Sequence, residues 1–82
     1  AGLFRGAKII ALGCKNGEGG ANKDNIVNLF ARSIGKYAKQ LVGAKLSINS
    51  YFKFDKAGNY LDTMFYSGYG RLADDEVYTI SR

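Results

Sequence analysis

Histidine is absent from the 82-residue chain, and cysteine occurs once, as Cys14. Without histidine, the usual general base for a serine or cysteine nucleophile is missing, and neither a four-cysteine nor a mixed cysteine–histidine zinc site can be assembled. Asp74, Asp75 and Glu76 form the densest acidic run, which is typical of a solvated turn rather than of a buried acid–base pair. We therefore predict no catalytic residue, no metal and no cofactor.

Proline is also absent, so the eleven glycines must form the turns, and they cluster at residues 13 to 20 and 68 to 70. No run of about 18 apolar residues occurs, and we expect no membrane span. With 82 residues, 46% of them hydrophobic, the chain is predicted to fold as a single domain over residues 1–82.

Positive charge is concentrated in the first two thirds of the chain. Residues 1–56 carry ten lysines and arginines against three acidic residues, whereas residues 57–82 carry two against four. Such asymmetry favours an anionic partner, either nucleic acid, acidic lipid or an acidic protein surface. A solvated surface that keeps a small protein soluble would show the same excess.

The longest periodic segment, residues 24 to 43, predicts an amphipathic helix. Its apolar side chains recur at steps of three and four, which places them on one face: Ile26, Phe30, Ile34, Tyr37 and Leu41. Asn22 or Asp24 is expected to cap its start, and Gly43 its end. A row of cations is expected on another face: Arg32, Lys36 and Lys39. Small residues form a further strip on which another element or chain could pack: Ala31, Gly35 and Ala38.

The segments around this helix predict strands. Residues 3–12 form a short apolar run, residues 45–54 alternate with period two, and residues 60–67 and 77–81 are rich in β-branched or aromatic side chains. Residues 13–25 read as a flexible loop. The predicted fold class is α+β, with one main amphipathic helix packed on a mainly antiparallel sheet in the order β-α-β-β-β.

Residues 55–59, DKAGN, predict a hairpin turn between the second and third strands. In the preferred register, Phe54 lies opposite Leu61, Lys53 opposite Asp62, and so on to Ser50 opposite Phe65. A shift of one residue would instead place Phe52 opposite Asp62. The apolar side of the second strand, which includes Phe52 and Phe54, is expected to face the core.

Aromatic side chains interleaved with lysines suggest contact with single-stranded nucleic acid, because bases stack on rings while lysine meets phosphate. The leading hypothesis is a non-catalytic basic binding module for an anionic partner, most simply nucleic acid. The candidate binding residues are Arg32, Lys36, Lys39, Lys45, Lys53, Tyr51 and Tyr66. The glycine-rich loop before the helix is a weaker phosphate candidate, since Glu18 adds negative charge to it.

Two alternatives remain open. One is a processed, secreted toxin or effector subunit, for which the absent initiator methionine, the terminal Arg82 and an interchain disulfide through Cys14 would be the signs. The other is a structural subunit of a larger assembly, joined through the strip of Ala31, Gly35 and Ala38. Both intracellular and secreted locations are compatible with the composition.

Overall fold

A computed structural model describes residues 4–82 of the chain. The fold is α+β, as predicted, with one α-helix packed on a sheet. The elements in chain order are β1 Lys8–Ala11, α1 Ile26–Arg32, β2 Gln40–Ala44, β3 Asn49–Phe54, β4 Tyr60–Ser67, β5 Gly70–Arg71 and β6 Val77–Ser81, with short 3-10 turns at Gly20–Asn22 and Asp74–Glu76. The predicted order β-α-β-β-β is therefore present, with β2 and β5 as additional strands.

Two three-stranded sheets form the scaffold. In the first, β2 is central, pairing in parallel with β1 and antiparallel with β6. In the second, β4 is central and pairs antiparallel with β3 and β5. The parallel β1–β2 pair requires a crossover connection, and α1 lies within it. This arrangement places the start of β2 beside the start of β1 and the end of β6.

The helix is shorter than predicted, and its buried face differs. Asn25 is the N-cap, its side-chain oxygen accepting a 2.8 Å hydrogen bond from the Asn28 amide, so Asn22 and Asp24 were the wrong choices. Val27 is the buried residue of the helix, whereas Ile26 is exposed. After Arg32 the chain turns, with the Ser33 and Gly35 amides both bonded to the Phe30 carbonyl.

The predicted second half of the helix contains strand β2, so that part of the prediction is wrong. Leu41 and Gly43 face the helix, while Val42 and Ala44 face the other sheet. A strand covered on both faces reads as a continuous apolar run, here LVGA, which periodicity alone does not separate from a buried helix segment. Gly43 is therefore not a helix cap.

Two hydrophobic clusters cover the two faces of the first sheet. On the helix side, Val27, Ala38 and Leu41 are buried, with partly buried neighbours Ile9, Ala11, Phe30, Ala31, Tyr78 and Ile80. On the opposite side, Ala44 packs with Phe65 and Leu72 of the second sheet region, with partly buried neighbours Ile10, Val42, Ile48 and Val77. The first sheet is thus the middle layer of the molecule.

The β3–β4 hairpin has the predicted register over most of its length. The pairs from Ser50–Phe65 to Lys53–Asp62 are confirmed, and an irregularity then pairs Phe54 with Tyr60 instead of Leu61. The expectation that Phe52 and Phe54 are buried is wrong, because every residue from 51 to 61 is exposed. The first sheet covers the hairpin at Phe65, and the tip of the hairpin extends beyond that sheet.

The glycine-rich segment 13–25 is packed against the domain rather than free, contrary to the prediction. The Gly17 amide donates to the Ala44 carbonyl at 2.9 Å and the Lys15 amide to the Leu46 carbonyl at 3.0 Å. Gly17 and Gly20 are buried. None of the helices in residues 4–82 has the length and apolar character needed to cross a membrane.

Candidate functional site: a basic end of the first sheet

Three chain segments meet at one end of the first sheet. The amides of Lys39 and Gln40 both donate to the Ala7 carbonyl, at 2.8 and 3.3 Å, and the Gly6 amide donates to Tyr37. On the other side of β2, the Arg82 amide donates to the Lys39 carbonyl at 2.9 Å. The turn before β1, the connection from α1 to β2 and the end of β6 are therefore held together by backbone hydrogen bonds.

These segments carry six cationic side chains, which we call the basic end: Arg5, Lys8, Arg32, Lys36, Lys39 and Arg82. All six residues are exposed. Lys8, Lys39 and Arg82 line one hollow of about 270 Å³, and Arg32 and Arg82 line a neighbouring one. The three segments that build this end, residues 4–8, 32–40 and 81–82, contain no aspartate or glutamate, and Asp24 lines the second hollow together with Arg32 and Arg82.

Few carboxylates compensate this charge. Within residues 4–82 the ion pairs are Lys15 with Glu18, Lys23 with Glu18, and Arg32 with Asp24 at 3.8 Å. The Arg32–Asp24 pair is solvent-exposed, and pairs of this kind contribute about 0–1 kcal/mol. The remaining members of the basic end take part in none of these pairs.

Arg82 holds the α1–β2 connection in place. Its guanidinium donates to the carbonyls of Lys36 at 2.6 Å, Gly35 at 3.0 Å, Ala38 at 3.3 Å and Ala31 at 3.0 Å. Carbonyls at and beyond the end of a helix lack intrahelical partners, and a cation that binds several of them also complements the negative end of the helix. Arg82 thus fixes the backbone that carries Lys36 and Lys39.

Tyr37 lies exposed between two cations of this surface. The Arg5 guanidinium carbon is 4.7 Å from the centre of the Tyr37 ring, and the Lys36 ammonium is 5.3 Å from it. Both distances fall within the range of cation–π attraction. The ring positions the two charges close together, and it offers an aromatic surface among groups suited to bind phosphate.

The remaining predicted binding residues lie elsewhere. Lys45 follows the far end of β2, about 20 Å from Lys39 along an extended chain. Lys53 lies opposite Asp62 on the hairpin, and Tyr51 and Tyr66 pack edge to face with ring centres 5.2 Å apart. The structure therefore brings Arg32, Lys36 and Lys39 to one end, although not as a row on one helix face.

The other sequence-based candidates have different surroundings. Gly35 and Ala38 are buried beside Ile9 and Leu41, so another element of the chain packs closely on these small residues, as expected. They lie beyond the end of α1 rather than on the helix, and because the chain itself covers them, they do not form a strip open to a second chain. In the glycine-rich loop, Glu18 pairs with both lysines that would hold a phosphate. Cys14 is exposed, and its Sγ accepts a 3.2 Å hydrogen bond from the Ile48 amide. The interchain disulfide stays a prediction.

Four members of the site were missed by the sequence analysis: Arg5, Lys8, Tyr37 and Arg82. Tyr37 was assigned to a buried helix face, and Arg82 was considered only as a terminus. The available signal was the complete lack of acidic residues before Glu18 and between Asp24 and Asp55. This lack of acidic residues did not show which cations lie together, because their positions depend on the parallel pairing of β1 with β2.

Comparisons of the chain with protein-family models, curated proteins and solved structures found no match. Within residues 4–82, no three Asp, Glu or Cys side chains come close enough together to hold a metal ion. The absence of catalytic activity stays a prediction. The geometry itself, and above all the basic end, is the basis for assigning a function.

Proposed function

We propose that the protein is a non-catalytic binding module that holds the phosphate backbone of single-stranded nucleic acid on the basic end. The observation that carries the proposal is the meeting of six cations from three acid-free segments. Four of them, Arg5, Lys8, Lys36 and Lys39, have neither a carboxylate partner among the described residues nor a structural role like that of Arg82. Lysine and arginine side chains arranged in this way bind phosphate groups and release condensed counterions.

Tyr37 supports nucleic acid rather than a protein as the partner. A base that stacks on this ring takes the place of the Arg5 guanidinium or the Lys36 ammonium and frees that cation for a phosphate. Stacking is worth about 1–3 kcal/mol per base, and the lost cation–π contact at an exposed site offsets about 0.5–1 kcal/mol of it. An acidic protein surface would use the same cations but would gain little from the ring face. Loss of affinity in Tyr37→Ala with an unchanged salt dependence would separate the two contributions.

Salt dependence provides the direct test. If about four phosphates are neutralised, the affinity for a labelled oligothymidylate about 12 nucleotides long should fall about 50-fold between about 50 and 200 mM salt. The triple variant Lys8→Gln, Lys36→Gln and Lys39→Gln should reduce the slope of log affinity against log salt by about two. Fluorescence anisotropy titrations at several salt concentrations measure both quantities.

A matched control separates the basic end from the net charge of the chain. The triple variant Lys45→Gln, Lys53→Gln and Lys56→Gln also loses three positive charges, but from the far end of β2 and from the hairpin. It should retain nearly the full slope. Equal losses in the two variants, or binding that does not change with salt, would refute the proposal.

A further inference from the structure

The smaller hollow of the basic end is built on the strands of the first sheet. Lys8 of β1, Gln40 of β2 and Ser81 of β6 lie opposite one another in the sheet register, so their side chains share one face. The side-chain amide of Gln40 donates a 3.2 Å hydrogen bond to Ser81 Oγ. The other residues that line the hollow are Gly6, Lys39 and Arg82. Backbone pairing therefore holds this lining in register.

The charged side chains that line this hollow are all positive. They are Lys8, Lys39 and Arg82, and no aspartate or glutamate lies among the lining residues. Lys8 and Lys39 take part in none of the ion pairs formed within residues 4–82. Like charges around a small volume repel one another, and an anion between them removes this repulsion. The hollow is therefore suited to an anion, unlike its neighbour, which Asp24 also lines.

The size and the hydrogen-bond donors of the hollow narrow the choice of anion. Its volume is about 270 Å³, against about 610 Å³ for the neighbouring hollow. Sites for drug-sized molecules measure about 300–1,000 Å³, so this hollow suits a phosphate group better than a whole nucleotide. The Gln40 amide uses one of its two N–H groups on Ser81, and the Ser81 hydroxyl keeps its proton to donate. Neutral donors thus accompany the cations.

We infer that this hollow binds the terminal phosphomonoester of a nucleic-acid strand, an inference that rests on the proposed function. A phosphomonoester carries about −1.5 to −2 charge at neutral pH and three acceptor oxygens, whereas an internal phosphodiester carries a single charge. Three cations around one small volume match the more highly charged group better. The end of a strand can also enter a small hollow, whereas a continuous strand has to pass over it. The phosphates that follow lie on Arg5 and Lys36.

Terminal phosphorylation of the probe tests this inference. Fluorescence anisotropy compares the same oligothymidylate, labelled on an internal thymidine, with a 5′-phosphate, with a 3′-phosphate and with hydroxyl groups at both ends. One phosphorylated strand should bind about tenfold more tightly than the unphosphorylated strand, because hydrogen bonds to charged groups are the stronger ones. The two phosphorylated strands show which end enters the hollow. A methyl ester on that terminal phosphate removes its second charge and should remove most of the gain.

Two double variants locate the effect within the basic end. Lys8→Gln with Lys39→Gln should bind the phosphorylated and unphosphorylated strands equally. Both residues are exposed, and circular dichroism checks that the variant is folded. Arg5→Gln with Lys36→Gln is the matched control, since it also loses two cations of the basic end, but outside the hollow. The control should bind both strands more weakly and keep the tenfold ratio.

A measurement on the wild type needs no variant. Titration with methyl phosphate should shift the backbone amide resonances of Lys8, Gln40 and Ser81 in NMR spectra, whereas dimethyl phosphate, which carries a single charge, should leave them nearly unchanged. Equal responses to the two compounds would contradict the inference.

The outcomes separate this inference from the proposed function. Equal, salt-dependent binding of all three strands would overturn the inference and leave the proposed function standing. If no strand binds, the proposed function fails and the inference fails with it. A tenfold ratio that persists in Lys8→Gln with Lys39→Gln, or that is lost equally in the control, would also overturn the inference.

Discussion

Replacing Gly43 by alanine should destabilise the protein by about 3 kcal/mol, near the upper end of the usual cost of overpacking a core. A Cβ at this position would lie 2.5 Å from Val27 Cγ2 and 3.1 Å from the Gly17 amide nitrogen. Carbon atoms in contact are normally about 3.5–4.0 Å apart, so Val27 would have to move by about 1 Å or more. Val27 is only 1% exposed, so its side chain is enclosed by other protein atoms and cannot move out into solvent.

Urea unfolding followed by circular dichroism measures this effect. For a chain of this length the total stability is about 4–12 kcal/mol, so the variant should retain about 1–9 kcal/mol and unfold at a clearly lower urea concentration than the wild type. Gly68→Ala is the matched control. A Cβ on Gly68 has no heavy atom within 4 Å, and its φ angle is outside the left-handed region, so its stability should stay within about 0.5 kcal/mol of the wild type.

A double-mutant cycle identifies the clashing atom. Val27→Ala alone should be destabilising because it leaves a cavity, but it removes the Cγ2 atom that the new Cβ would meet. The double variant Gly43→Ala with Val27→Ala should therefore be more stable than the sum of the two single effects by about 1–2 kcal/mol. A Gly43→Ala protein within 0.5 kcal/mol of the wild type would refute this account of the packing between α1 and β2.

Three further predictions concern hydrogen bonds. Arg82→Met should cost about 2 kcal/mol in urea unfolding, because the carbonyls at the end of α1 lose a charged donor. Hydrogen bonds from the Asn59 backbone and side chain lower the pKa of Asp55 from its ordinary 3.8. The resulting stabilisation is present above this value and is lost as pH falls through the lowered pKa, so Asp55→Asn should flatten the decline of the urea midpoint below about pH 4. Asn25→Ala should cost about 1 kcal/mol in urea unfolding, because it removes the helix cap.

Matched substitutions give each of these predictions a control. Arg71→Met changes an exposed arginine of β5 and should leave stability nearly unchanged. An equal loss of stability in this variant would show that the effect of Arg82→Met does not come from the hydrogen bonds of Arg82. Asp75→Asn, in an exposed turn, should retain the acid-induced decline that Asp55→Asn flattens. Asn22→Ala should be nearly neutral, and a cost equal to that of Asn25→Ala would contradict the assigned cap.

Much of the fold was predictable where a segment has one buried face or a distinctive turn. The hairpin register followed from opposing apolar and charged pairs around the DKAGN turn, and the last strand, Val77–Ser81, was predicted with its observed bounds. The irregularity that pairs Phe54 with Tyr60 was not predictable, because it depends on how the strand ends twist at the turn. The exposure of Phe52 was also missed, since periodicity shows which side chains share a face but not whether that face is covered.

The sequence by itself determined the α+β composition, the hairpin and the positions of acid-free, positively charged segments, because these depend on neighbouring residues along the chain. Only the tertiary structure decided that LVGA is a strand, since its burial on both faces requires α1 on one side and Phe65 on the other. The tertiary structure also decided the parallel pairing of β1 with β2, which brings Arg5 and Lys8 beside Lys36 and Lys39. Contacts between residues about thirty positions apart are fixed by packing, which local sequence patterns do not encode.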